Sequence, residues 1–79
     1  MKKSYHVKLN KVNSEKLKIF LEKNKIWFFT STYHEFYFQT GKYRTLISFE
    51  IRVDDAELCK VNTFLFSLGY KMTERKYNG

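Results

Sequence analysis

The sequence predicts a small α+β fold on three observations: two segments of helical period, several of strand period, and the way they alternate along the chain. Tyr5, Val7 and Leu9 alternate with His6, Lys8 and Asn10, which marks a first strand. Asn13 and Ser14 offer N-caps for a helix running to about Asn24, since short polar side chains accept from the free N–H groups of a first turn. The apolar face of that helix is Leu17, Phe20 and Leu21. Residues 26–53 then read as one long β-hairpin, rich in aromatic and β-branched residues and turning at Thr40-Gly41. Asp54 and Glu57 stand at capping-box spacing ahead of Leu58, Val61, Leu65 and Leu68, which repeat at helical period, and Gly69 suits the left-handed position past a helix end. Tyr70 to about Lys76 supplies a last strand.

This order, β-α-β-β-α-β, resembles the ferredoxin-like sandwich, which implies a four-stranded antiparallel sheet with both helices on one face. Many unrelated functions use that architecture, so function has to be argued from side chains. With 79 residues and 9.6 kDa, the chain makes a single small basic domain, 1–79. A domain this small buries only about 60% of its unfolded surface, and aromatic bulk compensates: eight Phe, six Tyr and one Trp. No apolar run reaches the roughly 18 residues of a membrane span, and no signal-peptide core follows Met1-Lys2-Lys3, so the expected location is the cytoplasm, with no membrane partner. Lys, Asn, Phe, Tyr and Ile total 35 residues against 7 for Gly, Ala, Arg and Pro, the signature of AT-rich codons. A phage, a mobile element or a low-GC bacterium fits that bias, which also inflates the lysine count.

Strand alternation orients the hairpin. Tyr43, Thr45, Ile47, Phe49, Ile51 and Val53 are expected to face the helices, with Arg44, Leu46, Ser48, Glu50 and Arg52 on the open face. A two-residue Thr40-Gly41 turn pairs Phe38 with Tyr43 and sends Phe28, Phe36 and Phe38 inward. Trp27, Phe29, Tyr33 and Tyr37 then face outward, with Tyr37 beside Arg44 and Phe29 beside Arg52. A three-residue turn with a Gly41 bulge swaps the two sets, and a bulge near Thr30–Thr32 mixes them. In each register aromatic rings are left over on the open face, where His6 and Lys8 of the first strand also stand.

Rings interleaved with cations on an open sheet suit single-stranded nucleic acid: bases stack on the rings and the cations neutralise phosphates. Lys8, Trp27, Phe29, Tyr33, Tyr37, Arg44 and Arg52 are therefore the candidate nucleic-acid-binding residues. The net charge of +7 supports a polyanion partner, such as RNA. Residues 1–25 hold eight Lys against two Glu, so Lys2, Lys3 and Lys11 are further candidates for phosphate contact. The RNA-recognition-motif family shares this element order, but its ring positions on the two central strands correspond here to His6, Lys8, Leu46, Ser48 and Glu50. Cys59 and Phe66, seven residues apart and off the apolar stripe of the second helix, are a candidate protein-docking spot. The alternative function is thus a small phage-type protein that inhibits a host protein, such as a defence nuclease or toxin, through its aromatic face or an edge strand. A homodimer formed through that edge fits either reading.

Catalysis is not expected. His34 and Glu35 are adjacent on a strand and project to opposite faces, and neither His6 nor His34 has partners at metal-ligand spacing. The lone Cys59 has no visible base and excludes an intrachain disulfide. Without a glycine-rich phosphate loop, no cofactor is expected. The run from Ser14 to Trp27, followed by a strand with His34 and the Thr40-Gly41 turn, faintly resembles the HicA mRNA-cleaving toxins, whose single strand histidine is catalytic. Ser31-Thr32-Tyr33 precedes His34 in place of that family's Gly-Ser-His, and the non-enzymatic reading is kept.

Overall fold

A strand ending at Leu9 passes into a helix through one residue, because Asn10 caps that helix: its side chain accepts from the Asn13 N–H at 2.8 Å. In the computed structural model, which describes residues 2–74, the elements are β1 (Lys3–Leu9), α1 (Lys11–Lys23), β2 (Phe28–Tyr37), β3 (Lys42–Val53), α2 (Asp55–Ser67) and β4 (Thr73–Glu74). The four strands form one antiparallel sheet in the order β2-β3-β1-β4, so the fold is α+β. Helix α1 begins earlier than the sequence predicts. Asn13 and Ser14 lie inside it, where the buried Ser14 hydroxyl donates back to the Lys11 carbonyl. Arg75 and Lys76, the end of the predicted last strand, lie outside the described residues.

Helix α2 starts as predicted. The Asp54 side chain accepts from the Glu57 N–H and the Glu57 carboxylate from the Asp54 N–H, a complete capping box. Both helices end alike. After α2, Gly69 takes φ +87° and the N–H groups of Gly69 and Tyr70 bond to Phe66 and Leu65. After α1, Lys25 takes the left-handed turn at φ 56°, while Lys25 and Ile26 bond back to Glu22 and Leu21. In each case the next residue returns to the core: Ile26 is buried, and Tyr70 packs on the core while its hydroxyl accepts from Asn13.

One face of the sheet carries that core. Val7, Leu9, Phe49, Ile51 and Val53 meet Leu17 and Leu21 of α1 and Val61 and Leu65 of α2, while Phe20 and Phe64 stack between the helices at 4.3 Å. No helix among the described residues is long and apolar enough to cross a membrane.

The hairpin departs from expectation in its turn. Tyr37 pairs with Lys42 and Phe36 with Tyr43, so the loop holds four residues, 38–41, and Phe38 belongs to no strand. The Tyr37 carbonyl accepts from Thr40 and Gly41, and Gly41 adopts φ +67°, a conformation that favours glycine. The pairing is displaced by two residues from the expected one, which leaves every side chain on its expected face because the side-chain period is also two. The ladder from Phe28 to Tyr37 is unbroken, which excludes a bulge at Thr30–Thr32 and the swapped register.

Tyr43, Thr45, Phe36 and Phe38 are nonetheless exposed rather than covered by helices. The reason is length: thirteen helical residues span about 20 Å, whereas the twelve of β3 span about 40 Å. The hairpin therefore outruns the helical layer. At its tip Phe36 packs against Phe38 at 5.0 Å and Tyr43 at 4.9 Å, with water on both sides of the sheet.

Candidate nucleic-acid interface

The open face of the sheet is a grid of cross-strand rows. The register sets Ser4 beside Arg52, His6 beside Glu50 and Phe29, and Lys8 beside Ser48 and Ser31. Tyr33 then faces Leu46, Glu35 faces Arg44, and Tyr37 faces Lys42. Trp27, whose carbonyl accepts from the Arg52 N–H, extends the column of β2 residues past the end of the strand. Trp27, Phe29, Tyr33 and Tyr37 thus stand along one edge of the face, each between 40% and 60% exposed.

All seven residues proposed for nucleic-acid contact lie on this face, and each cation meets an aromatic side chain, two over the ring and one at a hydroxyl. The Lys8 ammonium sits 4.1 Å from the Tyr33 ring centre and the Arg52 guanidinium 4.8 Å from that of Trp27. Such contacts at exposed sites are worth about 0.5–1 kcal/mol and hold a charge over a flat surface. Arg44 donates to the Tyr37 hydroxyl at 3.4 Å, and that hydroxyl donates to Glu35 at 3.0 Å. The hydrogen bond to the Tyr37 oxygen holds the Arg44 guanidinium above its ordinary pKa, with the Glu35 carboxylate adding to the effect. Two expected neighbours differ because the pairing is displaced. Arg52 stands beside Trp27 rather than Phe29, which faces Glu50, and Tyr37 pairs directly with Lys42 while reaching Arg44 on the diagonal.

Other lysines are engaged elsewhere. Lys2 lies 3.4 Å from Glu57 and Lys3 4.0 Å from Glu74, exposed pairs worth little energy that still draw these charges toward α2 and β4. Cys59 and Phe66 are both exposed on α2, Phe66 at 82%, but they border different grooves. Phe66 faces Tyr70 and Met72, and Cys59 faces Phe20 and Asn24. His34 is exposed near the hairpin tip, on the opposite side of the sheet from Glu35, with its Nδ1 at 3.2 Å from the Thr45 hydroxyl.

Two features of the face escape a reading by residue type. Leu46 is buried although it points away from the helices, directly across the ladder from Tyr33. Between the Trp27–Arg52 and Tyr33–Lys8 contacts lies a cleft of about 310 Å³ lined by His6, Phe29, Ser31, Ser48 and Glu50. Serine carries little sequence signal, and only the three-strand register places these side chains in neighbouring rows. No protein-family model matches the chain, and no curated protein is similar enough to count as a relative.

Proposed function

We propose that the chain is a ferredoxin-like, non-enzymatic domain that binds RNA or another single-stranded nucleic acid on the open face of its sheet. The sheet order β2-β3-β1-β4, with both helices packed on one side, supports the ferredoxin-like assignment. The observation that carries the function is the row of four exposed rings along β2, with Lys8 and Arg52 each over one of them and Arg44 bonded to the hydroxyl of a third. Stacking on a ring contributes about 1–3 kcal/mol per base whatever its identity, and cations beside the rings neutralise the backbone. Stacking here runs along an edge strand rather than the two central strands, so a bound single strand follows β2 lengthwise. The AT-rich composition fits an accessory protein of a phage or mobile element, acting in the cytoplasm of a bacterial cell.

The test uses the single tryptophan. Mixed-sequence single-stranded RNA is expected to quench Trp27 fluorescence saturably. Affinity should fall roughly twentyfold between 50 and 200 mM salt if three phosphates are neutralised. A folded protein that shows no response defeats the reading. The second reading, inhibition of a host protein, is favoured by the exposed Phe36, Phe38 and Tyr43 cluster at the hairpin tip, a compact hydrophobic anchor of the kind protein interfaces use. Binding of that kind changes little with salt.

A further inference from the structure

Among the described residues, β2 is the last strand of the sheet, with β3 on one side and no strand on the other. The bond from the Arg52 N–H to the Trp27 carbonyl fixes which way its backbone groups point. Bonded and unbonded pairs alternate along an antiparallel ladder, so the odd-numbered residues of β2 turn their N–H and C=O groups toward β3. Phe28, Thr30, Thr32, His34 and Phe36 therefore turn theirs outward. Such a row attracts another strand, and sheet proteins blunt it with a short edge, lysine, proline or a bulge. β2 has none of these devices: it is ten residues long, holds neither lysine nor proline, and pairs with β3 in an unbroken ladder. At the other edge β4 has only two described residues.

We infer that two copies of the chain join through β2, antiparallel about a two-fold axis, so that their four-stranded sheets become one. The outward backbone groups and the side chains on the helix side both belong to even-numbered residues, so even must meet even across the new ladder. An axis at Tyr33 satisfies this and sets ring against ring on the open face: Tyr33 opposite Tyr33, and Phe29 opposite Tyr37. On the other face Thr30 meets Phe36 and Thr32 meets His34. Glu35, the one acidic residue of β2, falls opposite Ser31, so no like charges oppose. Moving the axis to Thr32 sets Glu35 against Phe29 and loses both ring pairs of the open face. The helices leave room for this pairing. They cover the base of the hairpin and not its tip, and the axis sets each bare tip beside the covered base of the other copy. The two rows of rings then merge into one central band, with Lys8, Arg44 and Arg52 of each copy along its sides.

The experiment is sedimentation velocity on the full chain without nucleic acid, at about 200 mM salt to screen the net charge of +7. At a protein concentration of about 0.1 mM the expected mass is twice the 9.6 kDa of the chain. Thr32→Pro removes an N–H that only the dimer uses, and is expected to give the mass of one chain with an unchanged circular-dichroism spectrum. Should that variant fail to fold, single cysteines in a Cys59→Ser background decide. Tyr33→Cys sets two thiols across the axis in an unbonded pair, with Cα atoms about 4.5 Å apart, and oxidised glutathione is expected to link the chains. Ser31→Cys lies about 14 Å from its copy and is expected to link about tenfold more slowly. A single-chain mass for the wild type, a dimer that survives in folded Thr32→Pro, or equal linking of the two cysteine variants overturns the β2 dimer. Each of these results leaves nucleic-acid binding untouched, since the Trp27 titration tests that separately.

Discussion

Arg52 and Arg44 reach nucleic acid from different settings. The Arg52 guanidinium lies over the indole of Trp27, whereas that of Arg44 is tied at its tip to the Tyr37 hydroxyl. Neither belongs to the core, so removing both tests binding without testing the fold. The double substitution Arg44→Ala with Arg52→Ala is expected to leave the thermal midpoint nearly unchanged. The slope of log affinity against log salt should fall by about 1.4, the contribution of two phosphates on a single strand. An unchanged slope by fluorescence titration removes these two residues from the site. At this scale alternation shows in the sequence which residues of one strand share a face, and the pairing of β2 with β3 then selects, of the two registers the sequence allows, the one that puts the rings beside the arginines. The sequence was silent about Leu46, which is buried on the open face, and about the serines beside Glu50, because side chains on three different strands have to meet before a cleft exists.

At the scale of elements, the ends of the helices separate what short-range chemistry decides from what it leaves open. The Asp54–Glu57 box and Gly69 were legible because each needs only neighbours along the chain. The start of α1 was misplaced because Asn10, Asn13 and Ser14 are all competent caps, and the winner is set by where β1 stops pairing with β3: Leu9 is its last paired residue, opposite Ile47. Asn10→Ala is therefore expected to cost about 1 kcal/mol, measured by denaturant unfolding. Lys25 holds a left-handed turn that a residue with a Cβ adopts at a cost, and the same position after α2 is a glycine. Lys25→Gly is expected to raise stability by about 0.5–1 kcal/mol, and a loss of stability would show that the lysine side chain contributes something the backbone conformation does not. The hairpin turn was misjudged by two residues because Thr40-Gly41 satisfies a two-residue loop locally, whereas pairing over ten residues of β2 favours a four-residue loop.

For the molecule as a whole, the mismatch between helix and strand rise divides the hairpin in two. Its base is sealed: Phe49 is fully buried and packs against Phe28 at 5.8 Å, and Phe49→Ala is expected to cost about 3–5 kcal/mol, enough to threaten a domain of this size. Its tip is open. Phe38 is 90% exposed, so Phe36→Ser with Phe38→Ser is expected to shift stability by no more than about 1 kcal/mol despite removing two aromatic rings. Calorimetry on the two variants checks the contrast, and comparable losses in both would mean that the tip is covered in solution.

What the sequence by itself determined are the quantities that depend on neighbours along one chain: six elements in order, the α2 capping box, the glycine after it, and the alternation within each strand, while the register decided that Trp27, Phe29, Tyr33 and Tyr37 share a face with Lys8, Arg44 and Arg52. Parity survived a wrong turn because a displacement of two residues preserves it. Only the tertiary structure decided which cation meets which ring, how far the helices cover the sheet, and that His6, Glu50 and Phe29 stand in one row. Those outcomes depend on register across β1, β3 and β2 and on the different rise of helix and strand, which no window along a single segment contains.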